Sequence, residues 1–361
     1  MPIYNEVTLA KELIKFPSIT PIDAGIMKFL AKKLTHIGFK CKILEFKEKN
    51  YKPVKNLYAR LGDKSPNFMF AGHLDVVPPG DIKDWTIKPF NPSVKKGYLI
   101  GRGANDMKGA VASWVAAVSK FLSKNKKIDG SISLLITGDE EGVAINGTKK
   151  VVKYLKKRKE KIDFCIVGEP TNPKKLGEMI KIGRRGSITG HLNIIGSQGH
   201  VAYPDKANNP SNTIVKILKK LKEIKFDNGT KNFQKTNLEI TRINIDNSAD
   251  NVIPGSARAT FNIRFNNKHS SSSLKKKLNI IFKNITKKNN CRFNINYMVS
   301  GEPFFTKPNK ITYMIRDIIK KNTKIKTKLS TTGGTSDARF IRKISPCLEF
   351  GLVGKTMHKV D

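Results

Sequence analysis

Three apolar runs in this chain stop on residue types that bind metals, and that repetition constrains the fold more than any other feature. Phe68-Met-Phe70 leads through Ala71-Gly72 to His73-Leu-Asp75, then to a Pro78-Pro-Gly80 turn that cannot continue a ladder. Ser131 to Thr137 reads as an alternating strand that runs into Gly138-Asp-Glu-Glu-Gly142, and Asp163 to Val167 delivers Gly168-Glu169-Pro170. Strands of this kind between helical patterns predict an α/β sheet whose carboxyl edge gathers a histidine and several acids. Like charges gathered in one place repel, so such an edge is costly without cations.

Each piece alone has a plainer reading. Period two puts His73 and Asp75 on one face, so His73 can ligate a metal while Asp75 fixes its tautomer; a turn-flanking His bonded to a nearby Asp is the alternative. Asp106 lies in Gly101-Arg-Gly-Ala-Asn-Asp-Met-Lys-Gly109, ahead of the small-residue helix Ala110 to Leu122. The glycine spacing there matches neither nucleotide-loop pattern, and Asp106 by itself reads equally well as a helix N-cap. Adjacent Glu140 and Glu141 at a strand end point to different sides, so one can bind a metal while the other faces a substrate. Near the end of the chain, Gly354-Lys-Thr-Met-His358 supplies a second imidazole.

From about Ile180 the order of elements becomes β-α-β-β-α-β, which predicts a ferredoxin-like insertion over 182–298 within a catalytic domain formed by 1–181 and 299–361. Inside it, Gly196-Ser-Gln-Gly-His-Val-Ala-Tyr-Pro204 exposes His200 and Tyr203 on a glycine-rich loop, which as a loop is also ordinary turn chemistry. Thr331-Thr-Gly-Gly-Thr-Ser-Asp337 can cradle a carboxylate with its hydroxyls and N–H groups. A length of 361 residues allows two domains and a sizeable core. No run approaches the ~18 apolar residues of a membrane helix, and no charged n-region precedes an apolar stretch, so a soluble, cytoplasmic protein with no membrane partner is expected. Four scattered cysteines suit reduced thiols. The net charge of +39 admits a nucleic-acid or lipid partner, yet only twelve of 68 basic residues are Arg and aromatics are not interleaved. Compositional drift at solvated lysine faces therefore ranks ahead of a polyanion partner, and the field remains able to attract a small anionic substrate.

Assembled, these motifs resemble the metal-dependent amidohydrolase and peptidase group that includes aminoacylases, acetylornithine deacetylase and di-zinc carboxypeptidases. Within it the chain is most similar to the desuccinylase branch, which acts on N-succinyl-diaminopimelate in lysine and cell-wall precursor synthesis. That placement rests on Lys181-Ile-Gly-Arg-Arg-Gly-Ser187, the His200/Tyr203 loop and Thr332-Gly-Gly-Thr-Ser-Asp337. The resemblance implies a di-zinc exopeptidase-like domain with a mixed sheet flanked by helices, plus an inserted α+β dimerisation domain. It implies two Zn2+ per subunit, with Co2+ an option in one position. His73, Asp106 and Glu169 would bind one ion, and Asp106, Glu141 and His358 the other. Asp75 would orient His73, Glu140 would be the general base, and His200 would reach the partner subunit's site in a homodimer. Arg184, Ser187, Tyr203, Asn251, Arg264, Gly334 and Thr335 would contact substrate. Two departures stand out: Asp337-Ala-Arg339 replaces the usual Asp-Gly-Arg, and relatives continue beyond the last His into a helix, whereas this sequence stops three residues after His358. A related amidohydrolase with another acyl substrate is the nearer rival; a non-enzymatic anion or nucleic-acid binder is the remoter one.

Overall fold

Burial along the strands follows the apolar runs of the sequence. In the computed structural model, which describes residues 1–125 and 127–361, the first strands are Lys40–Phe46 (β1), Val54–Leu61 (β2), Asn67–His73 (β3), Ser131–Thr137 (β4), Phe164–Val167 (β5) and Met179–Lys181 (β6). Four more follow, Gly186–Ile195 (β7), Asn237–Asn244 (β8), Ser256–Phe265 (β9) and Arg292–Gly301 (β10), and Lys328–Ser330 (β11) and Cys347–Glu349 (β12) close the chain. Five consecutive positions of both β3 and β4 are buried, as strands covered on both faces must be.

Two compact units result. One contains Met1–Ile182, Thr306–Ser330 and Ser336–Asp361; the other contains Gly183–Phe305 and Thr331–Thr335. These bounds differ from 182–298 because β10 runs on to Gly301 and because Thr331–Thr335 is tied to the second unit. There, Thr331 Oγ1 donates to the Asn232 carbonyl and Arg184 Nη1 donates to the Thr332 carbonyl.

The first unit holds an eight-stranded mixed sheet in the order β1-β2-β4-β3-β5-β12-β6-β11. Pairs β3/β4, β3/β5, β5/β12 and β6/β11 are parallel; β1/β2, β2/β4 and β6/β12 are antiparallel. Helices Glu6–Ile14 (α1), Ile26–His36 (α2) and Gly109–Lys124 (α3) turn Leu13, Leu30, Val111 and Val115 into one core with Leu57, Phe70 and Leu134. Each such side chain contributes about 1.5–3 kcal/mol when fully buried. Gly72, on β3, leaves room for Met107: a Cβ there would meet Met107 Sδ at 2.9 Å. Among the described residues no helix is long and apolar enough to cross a membrane.

The second unit is one antiparallel sheet, β8-β9-β7-β10, with two helices. Helix Pro210–Glu223 (α4) follows β7, and helix Ser271–Lys288 (α5) follows β9, which completes the β-α-β-β-α-β order. Asn209 caps α4 through the N–H groups of Ser211 and Asn212, and Ser270 with Ser273 forms a capping box on α5. Ile214, Ile217, Leu278 and Phe282 fill the space beneath Phe261 and Phe265.

Candidate metal centre

Because β3, β4, β5 and β12 are mutually parallel where they pair, their carboxyl ends fall on one edge of the sheet. Register fixes the level: His73 faces Thr137, Ala71 faces Val167, and Glu349 also faces Val167. The residues that leave that edge next are His73-Leu-Asp75, Asp139-Glu-Glu141, Gly168-Glu169 and, after β12, the segment reaching His358. Asp106 arrives in the segment Ala104–Lys108 just ahead of α3, where the backbone at Asp106 and Met107 is non-helical. All of these belong to the first unit.

The side chains converge. His73 Nε2 lies 3.2 Å from Asp106 Oδ1, and His358 Nε2 lies 3.4 Å from Asp106 Oδ2 and 2.9 Å from Glu141 Oε1. The two oxygens of Asp106 thus serve two different imidazoles. Ligand atoms of His73, Asp106 and Glu141 lie within 4.8 Å of one another, as do those of His73, Glu140 and Glu169. Grouping by distance therefore joins His73 to Glu141 and Glu140 as well as to Asp106 and Glu169.

Asp75 does something other than the strand period implies. The strand ends at His73, so the alternation does not extend to Asp75. His73 Nδ1 donates to the backbone carbonyl of Asp75 at 2.8 Å, whereas its distance to the Asp75 carboxylate is 3.7 Å. The carboxylate instead accepts the backbone N–H groups of Glu140 at 3.2 Å and Glu141 at 3.0 Å. The carbonyl fixes the tautomer that leaves Nε2 free to ligate, and the carboxylate holds the Glu-Glu turn.

Residues that the sequence pattern did not single out complete the frame. Asp139 accepts from the N–H groups of Ala144, Ile145 and Asn146 at 2.8–3.1 Å, which closes the loop behind the two glutamates. Three acids in a row have no period, so their order of roles could not be read. Lys108 is fully buried, and its ammonium donates to the Phe16 carbonyl at 2.8 Å; burial pulls its pKa down to about 7. Glu349 is buried at the end of β12 and accepts from Ser336 Oγ at 2.5 Å. Ala338, which replaces the usual glycine, starts the short helix Ala338–Ile341, a conformation open to any L-residue.

Electrostatics report the crowding. Burial pushes the Glu140 carboxyl well above the ordinary range, and the charge of Glu169 adds to it. Burial likewise raises Asp75, to about 6. Burial opposes ionisation of Asp106 too, but the hydrogen bonds of His358 and His73 hold it below the usual range. His358 is pushed up to about 10 by its hydrogen bonds with Asp106 and Glu141. Burial pulls His73 down, yet Asp106, Glu169 and Asp75 hold it well above the ordinary value. The acids thus crowd around the two imidazoles, in the place where divalent ions would supply positive charge. Imidazole nitrogen and carboxylate oxygen donors in this arrangement fit divalent metal ions.

The remaining expected site residues lie in the second unit, in two groups. Ser187 and Arg264 are register partners on β7 and β9, and Ser187 Oγ accepts from Asn262 at 3.2 Å. Arg184 Nη1 donates to the Thr332 carbonyl at 3.1 Å, and Gly334 and Thr335 follow in the same segment of this unit. In the other group, His200 pairs in register with Val252, and Val201 N–H donates to the Asn251 carbonyl at 3.0 Å. Tyr203 stands 60% exposed, its ring centroid 5.8 Å from that of His200.

A profile of peptidase family M20/M25/M40 matches residues 69–361. A succinyl-diaminopimelate desuccinylase of Pelagibacter ubique is 79% identical over 361 residues, which is 100% of this chain and 94% of that protein. The enzyme of the same name from Parvibaculum lavamentivorans is 50% identical, over 99% of this chain and 90% of its own. Among solved structures, a tripeptidase from Staphylococcus aureus superposes with a TM-score of 0.78 at 19% identity, covering 99% of this chain and 93% of that one. A dinuclear metal binding peptidase of Bacillus subtilis gives 0.68 at 14% identity, covering 96% and 88%. These structural likenesses concern the fold, whereas the extent of the profile match and the sequence identity decide descent: the chain belongs to peptidase family M20/M25/M40.

Proposed function

We propose that this protein hydrolyses the amide of N-succinyl-LL-2,6-diaminopimelate, giving succinate and LL-2,6-diaminopimelate, as a cytoplasmic homodimer. The observation that carries the chemistry is Asp106 set between two imidazoles with the half-buried Glu140 alongside. The substrate reading is supported by the 79% identity to a desuccinylase along the whole chain.

His73, Asp106 and Glu169 would hold one divalent ion and Asp106, Glu141 and His358 the second, with zinc the resident metal and cobalt an option in one position. Bound there, the pair supplies Lewis acidity for the amide carbonyl and acidifies a water toward a pKa of about 7. Glu140 takes the proton from the attacking water. A carboxylate held there can both accept the proton and give it back. The water oxygen bonds to the carbonyl carbon, the C–N bond breaks, and Glu140 passes the proton to the departing amine. Asp75 keeps Glu140 and Glu141 in register by accepting both backbone N–H groups. His200 of a second subunit would donate to the oxyanion, a contribution whose loss typically costs ~10²–10³ in rate. Arg184 and Arg264, with Ser187, Tyr203, Asn251 and the Gly334–Thr335 segment, would bind the substrate's carboxylates and amino-acid end.

The test is a parallel assay of zinc- or cobalt-loaded protein with succinyl-diaminopimelate, acetylornithine and a dipeptide. The expected result is a kcat/KM for the succinyl compound at least a hundredfold above the others, within the range that buried polar recognition supplies. Equal or greater turnover of acetylornithine or the dipeptide overturns the substrate assignment, and no turnover of any amide overturns the hydrolase.

A further inference from the structure

We propose that Arg102 and Asn105 are positioning residues that hold His358 against Asp106 and Glu141. This inference rests on the reading of His358 as a metal ligand. His358 has little of its own to fix it. It follows the single turn Gly354–Thr356, adopts a left-handed backbone (φ +60°), and leaves about half of its side chain, 51%, open to solvent. Its partners are the acids it would share with a metal, Glu141 and Asp106.

The backbone around it is gripped from one loop. Arg102 Nη1 donates to the Lys359 carbonyl at 3.1 Å, and Nη2 donates to the Pro79 carbonyl at 3.3 Å. The guanidinium lies 5.0 Å from the Trp85 ring centroid, and Trp85 Nε1 donates to the same Pro79 carbonyl at 3.0 Å. Arg102 is only 6% exposed, so its fork is fixed. Three residues on, Asn105 Nδ2 donates to the Val353 carbonyl at 3.3 Å and to Thr356 Oγ1 at 2.9 Å. The segment is thus pinned on both sides of His358 by the stretch that ends at Asp106. One piece of chain therefore carries the bridging acid and also sets where the second imidazole meets it. The guanidinium reaches the two carbonyls from two separate nitrogens in a fixed plane, whereas an ammonium donates from a single nitrogen, so geometry, more than charge, is what Arg102 contributes.

The experiment is calorimetric titration of metal-free protein with Zn2+, counting sites and affinities, on the parent, Arg102→Met, Arg102→Lys, Asn105→Ala and each of these combined with His358→Ala. Removal of groups that orient a ligand typically costs 10–100-fold in metal affinity. The expected result is a loss of about that size at one of two sites for all three single variants, with the other site unchanged and no further loss when His358 is already Ala. Two sites of parental affinity in Arg102→Met and Asn105→Ala overturn the inference. So does equal weakening of both sites, or a loss that adds to that of His358→Ala, since either marks a general structural role. Full rescue by Arg102→Lys assigns the effect to charge and overturns positioning. Should Arg102→Met fail to fold by circular dichroism, Asn105→Ala decides. A parent that binds fewer than two ions instead refutes the two-metal reading itself.

Discussion

Asp75 and Glu140 divide labour in a way that single substitutions can separate. Glu140→Gln keeps the side chain's size and removes its basicity, so both metals should remain while turnover falls at least ~10²–10⁴-fold. Metal content by emission spectrometry beside steady-state kinetics checks this, and a variant within tenfold of the parent removes Glu140 as base. Asp75→Asn should act through the Glu140–Glu141 turn: one carboxylate oxygen becomes an NH2 that faces a backbone donor, at 3.0 or 3.2 Å in the parent. Turnover should drop about 10–100-fold with the His73 tautomer intact, because the His73 Nδ1 proton is held by a carbonyl that the substitution leaves in place. Imidazole nitrogen shifts of His73 by NMR, unchanged from the parent, would distinguish this from a role exerted through the ring. At this scale the sequence singles out residues of the right chemical type, since His73, Asp106, Glu140, Glu141, Glu169 and His358 all sit where strands or motifs end. It did not show which atom of Asp75 touches which neighbour, because that depends on where β3 stops, and strand ends are set by the ladder and not by composition.

Elements were more legible than their joints. The β-α-β-β-α-β order of the second unit was readable because alternating β9 and amphipathic α4 and α5 carry strong periods. The attachment of Thr331–Thr335 to that unit was not, since it depends on hydrogen bonds from Arg184 and to Asn232, far away in sequence. Asp227 is a joint of the same kind. Although burial works against its charge, Thr236, the Gly229 N–H and Asn266 hold its pKa down to about 2, and His269 Nε2 lies 3.1 Å away. An acid held below its unfolded value of ~3.9 stabilises the fold above that value, and the contribution disappears as pH falls through about 2. Asp227→Asn should therefore cost about 2 kcal/mol near pH 7, the worth of hydrogen bonds to a charged group. Urea unfolding followed by circular dichroism should show the gap between variant and parent narrowing below about pH 4. A gap that stays constant across that range would mean the carboxylate's charge contributes nothing.

At the scale of the whole molecule, charge and symmetry make separate claims. A net charge of +39 spread over solvated lysine faces gives a field that is able to attract a dianionic substrate without forming a site. Consequently kcat/KM for succinyl-diaminopimelate should fall as salt rises, while kcat stays nearly level. Symmetry carries the stronger test. His200 stands on the short strand Gly199–His200 of the second unit, whereas Glu140 belongs to the first. If each active site takes Glu140 from one subunit and His200 from its partner, then His200→Ala and Glu140→Gln proteins are each inactive for complementary reasons. Random exchange of equal amounts makes half of the dimers hybrids, and in each hybrid one site regains both groups. Recovery should therefore approach about a quarter of parental activity. Native mass spectrometry of the mixture confirms that exchange has occurred. If hybrids are present and activity stays at the sum of the separate variants, His200 serves its own subunit or none, and the shared site is refuted while the metal centre stands.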